Sequence, residues 1–472
     1  MLSQSNPGHS LTILYRFVLV SLNMDAIMGE VTIHQRRKML HAMTKGESLG
    51  DAYTATLARM KAQTGGKSRL AMQALMWVLY SERPLHVSEL CHALGVESGS
   101  PDSNTENIPR IETVLRCSLG LLTVEMSSST IRPVHYTLQE YLSDNPILPH
   151  SPHSTIAEVC LTYLNFQCIK DLSPTLSSAP PTTPLLDYAS LHWGAHARRE
   201  TTESMIPLAL TLLDGFDRHL SSNLLLLHVG YWRGQPWYNK PSPGGFTGLH
   251  GAAFLGLVDI TIALLKIKEW DLNATNPEGD TALMLAAMNG HEGVVKVLLE
   301  RADTNPEKAD YWGRRPLSRA ASNGHEGVVK MLLERADVNP ETADYWGRCP
   351  LSLAAENGHE KVVKMLLEQE VVDPDTVDTK YGQTPLSFAA ERGYEKVVAA
   401  LLERNDVNPE LADKNGRTPL SWATQNGHAK VVRLLLERRG PFLNPQVDGS
   451  TDLISNETSE LPEPPLKRIR RS

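Results

Sequence analysis

One sequence recurs with small changes along the C-terminal half of this 472-residue chain: Gly347-Arg-Cys-Pro-Leu-Ser-Leu-Ala-Ala-Glu-Asn-Gly-His-Glu-Lys-Val-Val-Lys-Met-Leu-Leu-Glu368. Its opening glycine returns every 34 or 35 residues, at Gly245, Gly279, Gly313, Gly347, Gly382 and Gly416. A fixed period of this length is typical of proteins that stack one small supersecondary unit many times. The sequence therefore predicts a solenoid of six repeats over residues 245–439.

Each repeat has the pattern of a helical hairpin. The first helix opens at a proline such as Pro350, which has no amide hydrogen to leave unpaired, and a preceding threonine such as Thr384 can cap it. Asn357-Gly358 predicts the tight turn before the second helix. Val362-Val363 and Leu366-Leu367 place apolar side chains on one face of that helix. A single hairpin cannot bury this face, so the hairpins must stack.

The repeats resemble ankyrin repeats, in which a Thr-Pro-Leu-His step opens the first of two antiparallel helices. Thr384-Pro-Leu-Ser387 and Thr418-Pro-Leu-Ser421 match it except for the final serine, which replaces the histidine in repeats three to six. Arg319 also stands at a normally apolar position, so we expect looser packing in the third repeat. The resemblance implies a concave partner-binding surface, formed by the extended fingers between hairpins and by the exposed part of each first helix.

Carried over by position, this surface has two sets of contact candidates. Those on the fingers are Tyr311, Trp312, Arg314, Tyr345, Trp346, Arg348, Lys380, Tyr381, Gln383, Lys414 and Arg417. Those on the first helices are Ser322, Glu356, Glu391, Arg392 and Gln425. Aromatic and arginine side chains are the usual anchors of protein interfaces. The alternative is that Trp312 and Trp346 pack against neighbouring fingers.

A winged helix is predicted before the repeats, over residues 53–145. Apolar periodicity indicates helices at 68–81, at 84–94 with a cap near Ser88, and at 109–119. Two β-prone runs, 121–124 and 131–136, flank a polar turn as a wing hairpin would. This block resembles the winged-helix segment of fungal NACHT-type signalling proteins with C-terminal ankyrin repeats, a type labelled GPI inositol-deacylase winged helix. Such proteins carry a nucleotide-binding domain upstream, and about 50 residues are too few for one.

No catalytic, cofactor-binding or metal-binding residues are predicted. Gly66-Lys67-Ser68 imitates the end of a P-loop, but Lys61 stands where the first glycine is required. No Gly-x-Ser-x-Gly nucleophile elbow occurs. The five cysteines are scattered without a Cys-x-x-Cys pair, which fits a reducing compartment. The histidines that follow each Asn-Gly or related turn are predicted to make structural hydrogen bonds, at His291, His325, His359 and His428.

The remaining segments complete a mainly α architecture of winged helix, helical connector and ankyrin-repeat solenoid. Residues 1–52 form a poorly defined N-terminal segment, in which the apolar run 11–22 is interrupted by Arg16 and favours a buried or frayed helix over a signal peptide. Residues 146–240 are a helical connector with an extended Pro/Ser-rich linker at 173–184. Residues 440–472 are predicted to be a disordered tail. The protein is predicted to be cytoplasmic. The alternative is a nuclear location, because the basic end of the tail, 467–471, has the composition of a nuclear-import signal.

These observations predict a non-enzymatic adaptor that binds another protein through its concave face, with no small-molecule substrate, cofactor or membrane. The first alternative is a truncated NACHT-type signalling NTPase whose ATPase domain lies upstream. The weaker alternative is a DNA-binding regulator. Nucleic-acid binding is the less favoured interpretation for two reasons. The net charge of the chain is −8, and the third helix has only Arg110 and Arg116 as basic residues, opposed by Glu112.

Overall fold

A computed structural model of the protein describes residues 32–44, 49–145, 151–228 and 245–439. The predictions for the apolar run 11–22 and for the tail 440–472 lie outside the described residues. Within the described ranges the chain is helical apart from one small sheet.

The N-terminal part is a winged helix preceded by one further helix. Its three strands are ordered β1-β3-β2 and are antiparallel, with Val124 opposite Ile131 in the wing. The elements are α1 Ile33–Thr44, α2 Leu49–Lys61, α3 Lys67–Tyr80, β1 Leu85–His86, α4 Val87–Gly95, α5 Ile111–Cys117, β2 Leu122–Glu125, β3 Thr130–Pro133 and α6 Thr137–Asp144.

This domain differs from the prediction in two details. The cap of α4 is His86 and not Ser88, because Glu89 reaches back and accepts the backbone N–H of His86 at 2.8 Å. Arg83 fixes that carboxylate with a further bond of 2.6 Å. Strand β1 was not predicted, since a strand of two residues carries no alternating pattern.

The connector packs directly on the winged helix. Its helices are α7 Pro152–Leu164, α8 Gln167–Lys170, α9 Leu186–Arg199, α10 Met205–Leu213 and α11 Leu220–His228. Trp77 of α3, Leu161 of α7 and Trp193 of α9 belong to one buried core. The segment 173–184 is not the extended linker that was predicted: it folds into turns, Thr183 is buried, and the carbonyl of Leu176 accepts a 2.9 Å bond from Asn223.

Six helical hairpins follow, as the glycine period predicts. Threonine side chains cap several of the first helices as expected; Thr384, for example, accepts the N–H of Ser387 at 3.1 Å. Arg315 and Cys349 stand at this position in the third and fourth repeats. The helices are α12 Gly248–Leu255 and α13 Val258–Ile267, α14 Ala282–Met288 and α15 Glu292–Leu299, α16 Pro316–Asn323 and α17 Glu326–Leu333, α18 Pro350–Glu356 and α19 Glu360–Leu367, α20 Pro385–Arg392 and α21 Glu395–Glu403, α22 Pro419–Gln425 and α23 Ala429–Arg439.

The first repeat is docked on the connector through two glycines. A Cβ atom on Gly248 would lie 2.1 Å from the carbonyl oxygen of Leu213, and one on Gly251 would lie 2.6 Å from the ring of Phe216. The corresponding positions of the later repeats carry larger residues, for example Pro350 and Leu353. Helices α10 and α12 therefore lie too close together to leave room for a side chain at positions 248 and 251. The connector covers the N-terminal end of the solenoid.

The third repeat is well packed, so the prediction of looser packing there was wrong. Nη2 of Arg319 lies 2.9 Å from Oδ1 of Asp280 and 3.2 Å from Oδ2 of Asp310. Both carboxylates are buried, and the neighbouring Ala320 and Ala321 are fully buried. A charged side chain is tolerated at this apolar position because two buried partners neutralise it.

The repeated histidines are structural, as predicted. Nε2 of His291 donates to the carbonyl of Phe254 at 3.0 Å, and His325, His359 and His428 make the same bond to the first helix of the preceding repeat. The imidazole of His291 also lies over Gly256, where a Cβ atom would be only 2.6 Å away. Each histidine thus ties one hairpin to the next.

Candidate protein-binding surface

The fingers of repeats three to six are tight turns, each built around one buried aspartate. Oδ1 of Asp310 accepts the N–H of Trp312 at 2.9 Å and that of Arg314 at 2.8 Å. Asp344 and Asp413 accept the equivalent pairs of amides in their own fingers. Because these amides are satisfied inside the turn, the backbone of each finger is fixed and its other side chains project from a rigid support.

Backbone hydrogen bonds also join neighbouring fingers into a row. In each of these hydrogen bonds, a backbone amide of one finger donates to a carbonyl of the finger before it, at a distance of 2.7 to 2.9 Å. The bonds run from Tyr345 to Trp312, from Thr379 to Trp346 and from Lys414 to Tyr381. The fingers of repeats three to six therefore form one continuous edge.

The arginines that were predicted to contact a partner pack within the fingers and do not project far from them. Nε of Arg314 lies 2.7 Å from Oδ2 of Asp310, and its guanidinium lies 4.4 Å from the ring centroid of Trp312. Arg348 lies between the aspartate and the tryptophan of its own finger in the same way. Arg417 pairs with its finger aspartate and stacks at 3.7 Å on a tryptophan of α22. These three cations are already paired and partly covered.

Four aromatic rings remain at the surface. The exposed fractions are 62% for Tyr311, 73% for Tyr345, 37% for Trp346 and 44% for Tyr381. We call these four residues the finger edge. Trp312, in contrast, is half-buried beneath the arginine of its own finger, whereas the alternative placed it against a neighbouring finger.

The fifth and sixth fingers add two lysines. Lys380 and Lys414 are exposed; Nζ of Lys380 lies 4.5 Å from the ring centroid of Tyr381, and Nζ of Lys414 donates to the carbonyl of Thr379. The prediction that Gln383 contacts a partner is not supported, because its side chain is buried and donates to Glu391 at 2.8 Å.

A polar cleft of about 340 Å³ lies beside the finger edge, between the third and fourth repeats. Arg314 and Arg348 from the fingers line it together with Ser322 and Glu356 from the first helices, so the two sets of candidates meet there. Nη1 of Arg348 lies 3.3 Å from Oε2 of Glu356. Arg392 bonds the other oxygen of Glu356 at 3.1 Å. Gln425 is exposed on α22, outside this cleft.

The finger aspartates were missed in the sequence. Asp310, Asp344, Asp378 and Asp413 recur with the same period as the glycines, three or four residues before each. That regularity was a usable signal. An aspartate at a turn can accept backbone amides two residues on, which is the role that the structure gives it.

The imitation P-loop does not have P-loop geometry. Gly66 precedes α3, and the element before it is helix α2 rather than a strand. The phosphate-binding motif requires a strand, a loop and then a helix.

Two family models match parts of this chain. The family model of ankyrin repeats (3 copies) matches residues 249–344, 308–378, 334–413 and 351–447. The model of the GPI inositol-deacylase winged helix domain matches residues 57–151. The crystal structure of EF0377, an ankyrin repeat protein, is 26% identical and covers 40% of this chain and 96% of that chain, with a TM-score of 0.37. No curated protein matches this chain.

The chain therefore contains ankyrin repeats and a winged helix domain of the GPI inositol-deacylase type. Among the helices that the structure describes, none combines the length and the apolar character needed to cross a membrane.

Proposed function

We propose that this protein is a non-enzymatic adaptor that binds another protein through the finger edge and the adjoining cleft of its ankyrin repeats. Ankyrin repeats support a protein-interaction role, and this fold is typically non-catalytic. The winged-helix match supplies no catalytic residues.

The observation that carries the proposal is the row of exposed rings. Large aromatic side chains are among the strongest contributors to protein interfaces, and burying one removes 150–250 Å² of its surface from water. Here four of them stand on turns that the buried aspartates and inter-finger bonds hold rigid. A rigid support lowers the entropy lost on binding, so more of the contact energy appears as affinity.

The charges beside these rings define the character of the partner. The arginines of the cleft are paired with carboxylates inside the fold, and the exposed Lys380 and Lys414 supply less positive charge than a phosphate-rich partner requires. We expect a protein surface that presents apolar or aromatic groups with a few hydrogen-bonding side chains.

The test is affinity capture from extracts of the source organism, followed by mass spectrometry. The finger-edge variant replaces Tyr311, Tyr345, Trp346 and Tyr381 with alanine in the full chain. The control variant replaces Met126 of the wing and Ile267 of α13, which are 88% and 55% exposed.

We expect the finger-edge variant to lose its specific partner while the control keeps it, because interface aromatics each contribute about 2 kcal/mol or more. Circular dichroism should show that both variants remain folded, since all six side chains lie at the surface. Retention of every specific partner by a folded finger-edge variant would contradict the proposal.

A further inference from the structure

Three potential metal ligands meet where the winged helix joins the connector. Glu82 lies just after α3, His153 lies in the first turn of α7, and His196 lies near the end of α9. One carboxylate oxygen of Glu82 and one ring nitrogen of each histidine all lie within 4.8 Å of one another. His196 is fully buried, His153 is half-buried and Glu82 is at the surface, so the group opens to solvent on one side.

The imidazole rings of His153 and His196 are joined by a hydrogen bond between their Nδ1 atoms. The distance between Nδ1 of His153 and Nδ1 of His196 is 2.8 Å. Nε2 of His196 lies 2.9 Å from the hydroxyl of Tyr188, and that hydroxyl accepts the backbone N–H of Glu82 at 3.1 Å. Tyr188 is itself buried, which fixes the orientation of the His196 ring.

This donor set has the chemistry of a transition-metal site. Two imidazoles and one carboxylate bind zinc in many proteins and leave a position for water. A neutral imidazole has one ring nitrogen with a lone pair, and this is the atom that binds a metal ion. Tyr188 occupies the second nitrogen of His196, as an orienting partner does at known metal sites.

The geometry needs only a small adjustment. With metal–nitrogen bonds of about 2.0–2.1 Å and tetrahedral angles, two nitrogen ligands are about 3.3 Å apart. The imidazoles would have to separate by roughly 0.5 Å from their hydrogen-bonded distance, and the carboxylate of Glu82 would have to approach them. Glu82 can do so because it lies at the surface.

Arg199 competes with a metal ion for the carboxylate. Both terminal nitrogens of Arg199 donate to the carboxylate of Glu82. The Arg199 side chain is 48% exposed, so it can turn into solvent when the carboxylate is taken.

We propose that Glu82, His153 and His196 form a binding site for a divalent transition-metal ion of the zinc class, with solvent completing the coordination. A bound ion would clamp the end of α3 to α7 and α9, and thereby stiffen the junction between the winged helix and the connector. The three ligands are far apart in the sequence and have no recognisable spacing, which is why the sequence predicted no metal site.

The test uses Co²⁺ as a spectroscopic probe on the purified full chain at pH 7. We expect one equivalent of Co²⁺ to give visible absorption bands, and Zn²⁺ to abolish them by displacement. His153→Gln and Glu82→Gln should each weaken binding at least tenfold. The matched control, His92→Gln in α4, removes a half-buried histidine outside the cluster and should bind as the wild type does.

A further variant distinguishes the proposed site from non-specific binding of Co²⁺ at other histidines. Arg199→Gln removes the competitor for the carboxylate and should tighten Co²⁺ binding several-fold, a response that binding at unrelated histidines would not show. The proposal is overturned if the wild type gives no Co²⁺ bands, or if His153→Gln and Glu82→Gln, shown to be folded by circular dichroism, bind as tightly as the wild type.

Discussion

His219 shows how single buried groups make this fold sensitive to acid. Its Nδ1 accepts the backbone N–H of Ser221 at 3.1 Å, so the proton lies on Nε2, which donates to the carbonyl of Leu164 at 3.0 Å. Burial lowers the pKa of His219 to about 4, and protonating Nδ1 would break the bond with Ser221. The neutral ring is therefore part of the connector core.

This residue gives a prediction about pH. The unfolded histidine has a pKa near 6.5, so between pH 6.5 and about 4 the unfolded state binds the extra proton and stability falls as pH falls. From pH 7 to pH 4, His219 should lower the free energy of unfolding by about 3 kcal/mol. Urea unfolding at several pH values should show a shallower loss in His219→Gln than in the wild type. Equal slopes in the two proteins would contradict this assignment.

The repeated histidines show what the sequence can and cannot predict at this scale. The structural role of His291 follows from its fixed place in the repeat, and the structure confirms it. The environment of Arg319 does not follow, because Asp280 belongs to the preceding repeat and only the stacked structure brings it within 2.9 Å.

At the scale of elements, the aspartate turn is what makes a finger rigid. Asp344 is buried; its Oδ1 accepts two backbone amides at 2.9 Å, and its Oδ2 accepts Nη2 of Arg348 at the same distance. Replacing it with alanine leaves two amides and one guanidinium without this partner. Each such group costs about 1–3 kcal/mol when it is not solvated.

Asp344→Ala should therefore destabilise the solenoid by about 2–6 kcal/mol, as measured by urea unfolding of the full chain, because the two amides lose their partner while the Arg348 side chain, 26% exposed, can be solvated. Asp406→Ala is the matched control, because Asp406 is an exposed carboxylate paired with Arg404 on the same loop, and its loss should change the stability little. If the two variants lose the same stability, the finger turn does not depend on its aspartate.

Most helices could be predicted because a strong period of apolar residues marks them. Helix α3 was predicted at 68–81 and spans Lys67–Tyr80, and all six hairpins lie where the glycine period places them. The finger side chains were less predictable. Their position follows from the repeat, but the exposure of Tyr345 and the covering of Trp312 depend on which group each ring meets in space.

At the scale of the whole molecule, the junction between the connector and the solenoid was not predicted from the sequence. Gly248 and Gly251 occupy positions where other repeats carry proline and larger side chains, and the structure explains the exception by the close approach of Leu213 and Phe216. The connector thereby covers the first repeat. At the other end Thr424, exposed, replaces the second buried alanine of the earlier repeats, as a polar terminal repeat requires.

This junction determines how the binding function should be tested. Deleting residues 245–439 would expose the surface of α10 that the first repeat covers, so a truncated chain could acquire contacts that the intact protein does not make. Changes confined to exposed side chains avoid this problem.

The most direct measurement is site-specific photo-crosslinking in cells of the source organism, with a photoreactive phenylalanine derivative placed at Tyr345 of the full chain. The matched probe stands at Met126 of the wing, which is 88% exposed against 73% for Tyr345 and belongs to the winged helix. We predict a discrete crosslinked protein from position 345 and none of the same mass from position 126. A partner that crosslinks at 126 and not at 345 would contradict binding through the finger edge and would assign binding to the winged helix.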